Sequence, residues 1–216
     1  MYKKLIDLCV GSGKYGIPAS AIDYDENKYR YLRISDISDD GVLLNNDKKS
    51  IDDNDSINYL LSRNDIVFAR TGNSTGRTFF YEEKYGNLVY AGFLIKFKID
   101  DNKINPKYIK YYTISKQYKK WIKNYQDGST RGNMSAQNFA IMPIPIIDRI
   151  KQDKLVNLLD DVTNKIELNN KIIFELEKIA KTLYDYWFVQ FDFPDEKERP
   201  YKSSGGAMIY NKDLKR

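Results

Sequence analysis

The feature that most constrains this chain is an unbroken heptad towards its C-terminal end. Leu155, Leu159, Val162, Ile166, Asn169, Ile173, Leu176, Ala180, Leu183 and Trp187 follow one another at alternating steps of four and three residues. Apolar residues spaced ~3.5 positions apart form a seam along one side of a helix, by which it wraps around a second helix. Leu158, Ile172, Ile179 and Tyr186 add a flanking row, so the stripe is wider than a two-stranded seam needs. No Pro or Gly interrupts residues 150–188. Pro143 and Pro145 bar a helix upstream, and Asp148 is a suitable N-cap. The pattern predicts a helix over 150–188, roughly 57 Å long at ~1.5 Å per residue. A helix of that length outruns any compact domain the remaining residues can build. Its partner must be another long helix, from a second copy or another protein. The competing reading, a core helix of an ordinary bundle, is disfavoured by heptads sustained over this length. Asn169, polar on the seam, either fixes register and partner number or is a defect satisfied by water.

Charge separates the helix from what precedes it. Residues 1–150 carry 23 Lys and Arg against 18 Asp and Glu, whereas residues 151–216 carry 12 of each. A basic domain ahead of a neutral helix points to a polyanion on the first and protein on the second. The chain has no histidine, which removes the commonest general base, the usual Ser-His-Asp and Cys-His arrangements and most zinc sites. The single cysteine, Cys9, excludes an internal disulfide and lies in an apolar stretch, as a core residue does. No apolar run approaches membrane-spanning length and no secretory signal opens the chain, so a cytoplasmic protein without a membrane anchor is expected.

Residues 1–100 read as short strands, rich in β-branched and aromatic residues, between polar turns. The clearest runs are 29–34, 65–70, 77–81 and 88–99, with turns at Asp39-Asp40-Gly41, Thr71-Gly72-Asn73 and Tyr85-Gly86-Asn87. Residues 45–64 read as a polar loop with a short helix. No long helix is interleaved, so a largely antiparallel assembly is expected over a parallel βαβ sheet. From 102 to 126 the chain holds seven lysines and no acid. Asn105-Pro106 is a helix start. Tyr108, Tyr111, Tyr112, Ser115, Tyr118, Ile122 and Tyr125 recur at helical spacing as one face. Lys110, Lys116, Lys119, Lys120 and Lys123 lie off that face, either as a solvated surface or turned to phosphates. The fold expected is α+β: a mixed or antiparallel β-rich domain over 1–148, a long helix over 149–190, and a connector over 191–216 with nothing attached.

Two polar, glycine-containing loops are candidates for contact with nucleic acid. Arg70-Thr71-Gly72-Asn73-Ser74-Thr75-Gly76-Arg77 has an arginine at each end and small residues that let backbone approach a phosphate. The second, over 127–140, contains Ser129, Thr130, Arg131, Asn133, Gln137 and Asn138. An arginine suits guanine, and Asn or Gln suits adenine, because their forks match the donor and acceptor pattern of those base edges. Surface loops are polar in any protein; it is the pair, within one basic domain, that points to nucleic acid.

Three apparent motifs fail. Gly11-Ser12-Gly13-Lys14 lacks the earlier glycine and the following Ser or Thr of a phosphate-binding loop, these positions being Leu8 and Tyr15. Asn105-Pro106-Lys107-Tyr108 departs from the Asn-Pro-Pro-Tyr of amino-methyltransferases at its third residue, and no glycine-rich cofactor loop accompanies it. Pro194-Asp195-Glu196-Lys197 lacks the spacing of a nuclease site. No catalytic constellation emerges.

Several stretches together resemble the specificity subunits of type I restriction–modification systems. They are Gly13-Lys14-Tyr15-Gly16-Ile17-Pro18-Ala19-Ser20-Ala21, Tyr31-Leu32-Arg33-Ile34-Ser35-Asp36-Ile37, residues 65–77, and residues 128–145 with their Ile144-Pro145-Ile146 exit. The helix end, Leu183-Tyr184-Asp185-Tyr186-Trp187-Phe188-Val189-Gln190-Phe191-Asp192-Phe193-Pro194, and the following Tyr201-Lys202-Ser203-Ser204-Gly205-Gly206 match as well. The resemblance covers nearly the whole chain, and the order of these stretches is what makes it specific. It implies a recognition domain that reads one half of a split site in double-stranded DNA, and a long helix that acts as spacer and docks the modification subunits. It also implies that S-adenosylmethionine is bound by those subunits and that a separate restriction subunit cuts. This chain would bind no cofactor or metal and would catalyse nothing. Lys14 and Tyr15, within the first of these stretches, join the expected DNA-facing set, and Lys119 and Lys120 of the lysine-rich segment are its phosphate-facing lysines. A complete subunit has two recognition domains and two spacer helices; this chain has one of each, as a homodimer through antiparallel helices or as a fragment. The alternative class is a coiled-coil scaffold protein whose basic domain binds acidic protein.

Overall fold

A computed structural model of the chain describes residues 1–127, 132–195 and 197–206. It divides into two compact units, Met1–Leu159 and Asp160–Arg216.

The first unit is built on β6 (Asp65–Ala69), the centre of its main sheet. Every residue of this strand is buried. It pairs antiparallel with β7 (Thr78–Phe80) and with β9 (Leu94–Lys98), and β9 pairs with β2 (Lys14–Tyr15), giving the order β2-β9-β6-β7. The alternation of side chains along β6 fills two cores. Ile66 and Phe68 join Phe97, Tyr118 and Phe139 on one face, while Val67 and Ala69 join Leu32, Phe79, Leu88 and Leu94 on the other. A second sheet runs β3 (Ile22–Asp23), β5 (Lys49–Ser50), β4 (Arg30–Leu32), β8 (Leu88–Tyr90). Its β4–β8 pair is parallel, so the β-rich domain is mixed. The 88–99 run is two strands, β8 and β9, separated by a turn at Ala91-Gly92-Phe93. Within the polar stretch 45–64 the expected short helix is the 3-10 turn Asn54–Tyr59.

The tyrosine face of 102–126 lies in the core, but on two helices: α1 (Pro106–Tyr112) and α2 (Lys116–Asp127). Asn105 caps α1 by accepting from the Lys107 N–H. Between the helices the Thr78 hydroxyl donates to Thr113 Oγ1 at 2.9 Å, and the Thr113 hydroxyl donates to the Lys110 carbonyl. Tyr112, Ser115 and Tyr118 keep a three-residue step across this break, which conceals it in the sequence. The short helix α3 (Ala136–Ala140) starts at Ser135, whose hydroxyl forms a capping box with Asn138.

The N-terminal strand β1 (Tyr2–Lys4) pairs antiparallel with β10 (Pro143–Pro145), just ahead of the long helix. Prolines cannot donate to a ladder, yet their carbonyls accept here from Tyr108 (to Pro145, 2.9 Å) and Tyr112 (to Pro143, 2.7 Å). The long helix α4 (Arg149–Tyr184) then begins at Asp148, whose carboxylate accepts from the Ile150 N–H. Its first turns are held by Gln152 and Val156, both buried. Gln152 accepts from the Asn105 N–H at 3.0 Å and donates to the Ile147 carbonyl at 2.8 Å. Arg149 bonds to Asp101 and Asp153.

In the second unit α4 continues with its seam open. Ile166, Asn169, Ile173, Leu176, Ala180 and Leu183 are all exposed. The flanking Ile172 and Ile179 are also exposed. After Tyr184 the helix widens into a π turn, Asp185–Val189, closed by the Gln190 N–H on the Asp185 carbonyl. The seam's last step, Leu183 to Trp187, therefore runs into a wider turn. Of the connector expected over 191–216, residues 191–195 and 197–206 fold back locally. Asp192 accepts from both the N–H and the hydroxyl of Ser203, and Phe193 stacks on Tyr201 at 4.8 Å. These hydrogen bonds hold the Asp192 carboxyl below its ordinary range. Among the described residues no helix is long and apolar enough to cross a membrane.

Candidate nucleic-acid interface

The two polar loops, some 60 residues apart in sequence, form one surface. The 70–77 loop leaves β6, makes a 3-10 turn (Gly72–Ser74) and enters β7. Gly76 sits at φ +88°, and a Cβ there would lie 2.7 Å from Ile122 of α2, so only glycine fits. The hydroxyl of Tyr118 fixes the same point by donating to the Gly76 carbonyl at 2.7 Å. The second loop is fastened to the first at three places. The Met134 N–H donates to the Arg70 carbonyl (2.9 Å), Thr71 Oγ1 to Asn133 Oδ1 (2.5 Å), and Thr75 Oγ1 to the Gly132 carbonyl (3.2 Å). Tyr15 of β2 joins them: its hydroxyl accepts from the Ala136 N–H at 3.1 Å, and the Arg70 guanidinium lies 5.1 Å from its ring centroid.

The expected residues differ in what they are free to do. Arg70 makes no hydrogen bond or ion pair through its guanidinium among the described residues, and its buried Nε lacks an acceptor. A buried donor left unpaired costs about 1–3 kcal/mol, which an arriving acceptor recovers. Arg77, in contrast, is engaged: Nε donates to Asp39 Oδ1 at 2.7 Å and Nη1 to the Ile37 carbonyl at 3.2 Å. Asn73 and Gln137 are exposed, Ser74 is half-buried, and Thr75 is buried with its hydroxyl bound to backbone carbonyls. Asn138 is committed to the Ser135 cap and to the Tyr125 hydroxyl. Lys14, Lys120 and Lys123 are exposed without an ion pair among the described residues, and Lys119 lies 3.6 Å from Asp40. Lys110 is held by Glu82 at 2.9 Å. Ser129, Thr130 and Arg131 lie outside the described residues.

Sequence reasoning missed two neighbours of this surface. Asp39 and Asp40, visible only as a turn, meet its cations. Phe93, more than half exposed, sits beside Arg70, whose N–H donates to its carbonyl at 3.1 Å. Phe93 and Arg70 border a cleft of about 630 Å³ whose other walls include Ile17, Pro18 and Ile34. The adjacency of residues 93 and 70 comes from the β9–β6 register and has no local signal. Cys9 is buried and donates to the Leu5 carbonyl; burial pushes its thiol up to about 12, against the pull of Lys103. Among the described residues no group of three or more His, Cys, Asp or Glu side chains is placed to hold a metal ion.

A β-rich domain with one cationic, two-loop surface, carried on a helix whose apolar rows are open, has the build of a recognition module. The chain belongs to the type I restriction modification DNA specificity domain family, whose model matches residues 1–178. It is 27% identical over 173 residues to the type I restriction enzyme HindI specificity subunit of Haemophilus influenzae, covering 79% of this chain and 35% of that protein. Among solved structures, its fold is similar to the type I S subunit of M. genitalium (TM-score 0.55, 16% identity, 85% of this chain and 44% of that one). It is also similar to the HsdS subunit of Thermoanaerobacter tengcongensis (TM-score 0.54, 14% identity, 91% and 50%). The chain thus spans half or less of the length of these relatives.

Proposed function

We propose that this chain is a DNA-reading specificity subunit of a type I restriction–modification complex. The observation that carries the reading is the junction of the two loops around Arg70. It joins Arg70, Thr71 and Asn133, with Asn73 and Gln137 exposed in the same two loops, in a domain that belongs to this family. Base edges are read by such donors and acceptors, while Lys14, Lys119 and Lys120 supply sequence-independent contacts to phosphates. In this reading Tyr15 positions Arg70, and Asn138 positions its loop.

The open seam of α4 takes a second copy in antiparallel array, and the flanking row docks the modification subunits. A two-fold dimer carries identical recognition surfaces, so its half-sites are inverted repeats separated by unread base pairs. The chain itself performs no chemistry; S-adenosylmethionine is held by the modification subunits and cleavage belongs to the restriction subunit. The complex works in the cytoplasm. Selection of bound duplexes from a random pool, with the modification partner present, tests this reading. A two-fold symmetric, interrupted site is expected. Enrichment of no sequence at all would overturn DNA reading, and an asymmetric site would overturn the homodimer.

A further inference from the structure

We propose that the acidic turn Asp39-Asp40 is a built-in competitor for DNA phosphate, a brake that keeps affinity for unrelated DNA low. The inference rests on the DNA-reading function and concerns a different property of the same surface. Asp39 holds Arg77 at 2.7 Å, and Asp40 lies 3.6 Å from Lys119. Asp39, Asn73, Arg77 and Lys119 border one concavity of about 280 Å³ beside the 70–77 loop. Two carboxylates thus stand among the cations that would meet phosphates.

The turn does not need these carboxylates to close. Ser38 closes it: its N–H donates to the Val42 carbonyl, its carbonyl accepts from the Gly41 N–H, and its hydroxyl accepts from the N–H groups of Asp40 and Val42. Gly41, at φ +74°, brings the turn against β7, where a Cβ would lie 2.9 Å from the Thr78 carbonyl oxygen. That contact sets Asp39 beside Arg77, the residue before Thr78. Nor are the pairs a source of stability. The two carboxylates are 74% and 79% exposed, and such surface pairs contribute little to folding. Their effect falls on binding. A phosphate approaching Arg77 or Lys119 must displace a carboxylate and tolerate its charge nearby. Sequence-independent attraction is thereby reduced, and firm binding waits for base contacts such as those of Arg70, whose guanidinium has no ion pair among the described residues.

The test uses the full chain and a labelled random-sequence duplex, titrated between ~50 and ~200 mM salt. Asp39→Asn/Asp40→Asn should bind this duplex roughly tenfold tighter. Its log K against log salt slope should steepen by about 1.8, from two restored phosphate contacts at ~0.9 each. Asp39→Glu, which keeps the charge, should bind as the wild type does. Glu26→Gln/Asp55→Asn adds the same net charge outside the turn and both loops and should gain less than about twofold, because salt screens distant charges. A turn variant no tighter than this control would overturn the brake while leaving DNA reading intact. A wild-type chain that binds no duplex at any salt would overturn both.

Discussion

In β6 all five residues are buried, Ile66 and Phe68 against one core and Val67 and Ala69 against the other. From Ile166 to Leu183 every residue of the α4 seam is exposed. The strand is apolar on both faces after Asp65, with side chains alternating between the two cores, whereas the helix is apolar along one stripe with a mean period of 3.5. The strand is covered by elements of its own chain, from the neighbouring β7 to β9, α2 and α3 further along the sequence. The seam of the helix is covered by nothing among the described residues of its own unit. An apolar pattern therefore identifies which surface must be buried, but not whether the burying partner belongs to the same molecule.

The largest effect should come from the open face. Leu176→Asp with Leu183→Asp should convert a dimer at tens of micromolar to monomer in sedimentation, since each buried seam leucine is worth about 2–5 kcal/mol to association. The melting of the first unit should not change. A wild-type chain that is monomeric at that concentration would break the comparison, because the seam would then be tolerated in water. The complementary change is Phe68→Ala, which removes a buried ring 4.8 Å from Phe139 and 5.7 Å from Phe97. It should destabilise the first unit by about 3–5 kcal/mol in urea unfolding while leaving self-association in place.

A finer contrast lies within the DNA-facing surface. Arg70→Ala should alter preference at one base position by about 1–3 kcal/mol, whereas Lys120→Ala should weaken all sequences alike. Equal weakening by both, measured on the selected site and on its single-base variants, would place Arg70 on a phosphate. The smallest effect is one of pH. Burial alone would raise the Glu82 carboxyl, but hydrogen bonding to Lys110 and the charges of Lys110, Lys84 and Lys107 outweigh it and hold the group below its ordinary range. A carboxylate lowered in the folded state stabilises above its unfolded pKa of about 4.3, and that contribution is lost as pH falls through the folded value. Glu82→Gln should therefore melt below the wild type at neutral pH, with the two curves converging in acid. A constant gap across pH 3–7, roughly that range of the carboxylate titration, would contradict this.

How much could be read from the sequence followed the range of the interaction. The long helix was legible because an a/d period without Pro or Gly is a local property, and Asp148 and the two prolines marked its start. The strands of 29–34, 65–70 and 77–81 were legible from β-branched and aromatic content. The parallel pairing of β4 with β8 was not, since it joins residues 30 and 88 across several turns. The break between α1 and α2 was hidden because the tyrosine spacing continues through it, and one of the bonds made there, from the Thr78 hydroxyl to Thr113, comes from 35 residues away. The candidate loops were found separately from composition and φ-permissive glycines. Their junction, the freedom of Arg70 and the engagement of Arg77 by Asp39 depend on side chains brought together by the sheet register, which no single window contains.

The fastening of one loop to the other bears on how such a surface can change. Thr71 meets Asn133, Thr75 meets the Gly132 carbonyl, and Arg70 meets the Met134 N–H. A chimera that takes residues 70–77 from one relative and 132–138 from another would keep the two fastenings that end on backbone carbonyls, but it would lose the Thr71–Asn133 bond unless both side chains came together. New specificities in this scaffold should then arise by exchange of positions 71 and 133 as a linked pair, or by substitutions at Asn73 and Gln137, which are exposed and take no part in these three bonds. Those two positions are where the surface can vary one residue at a time.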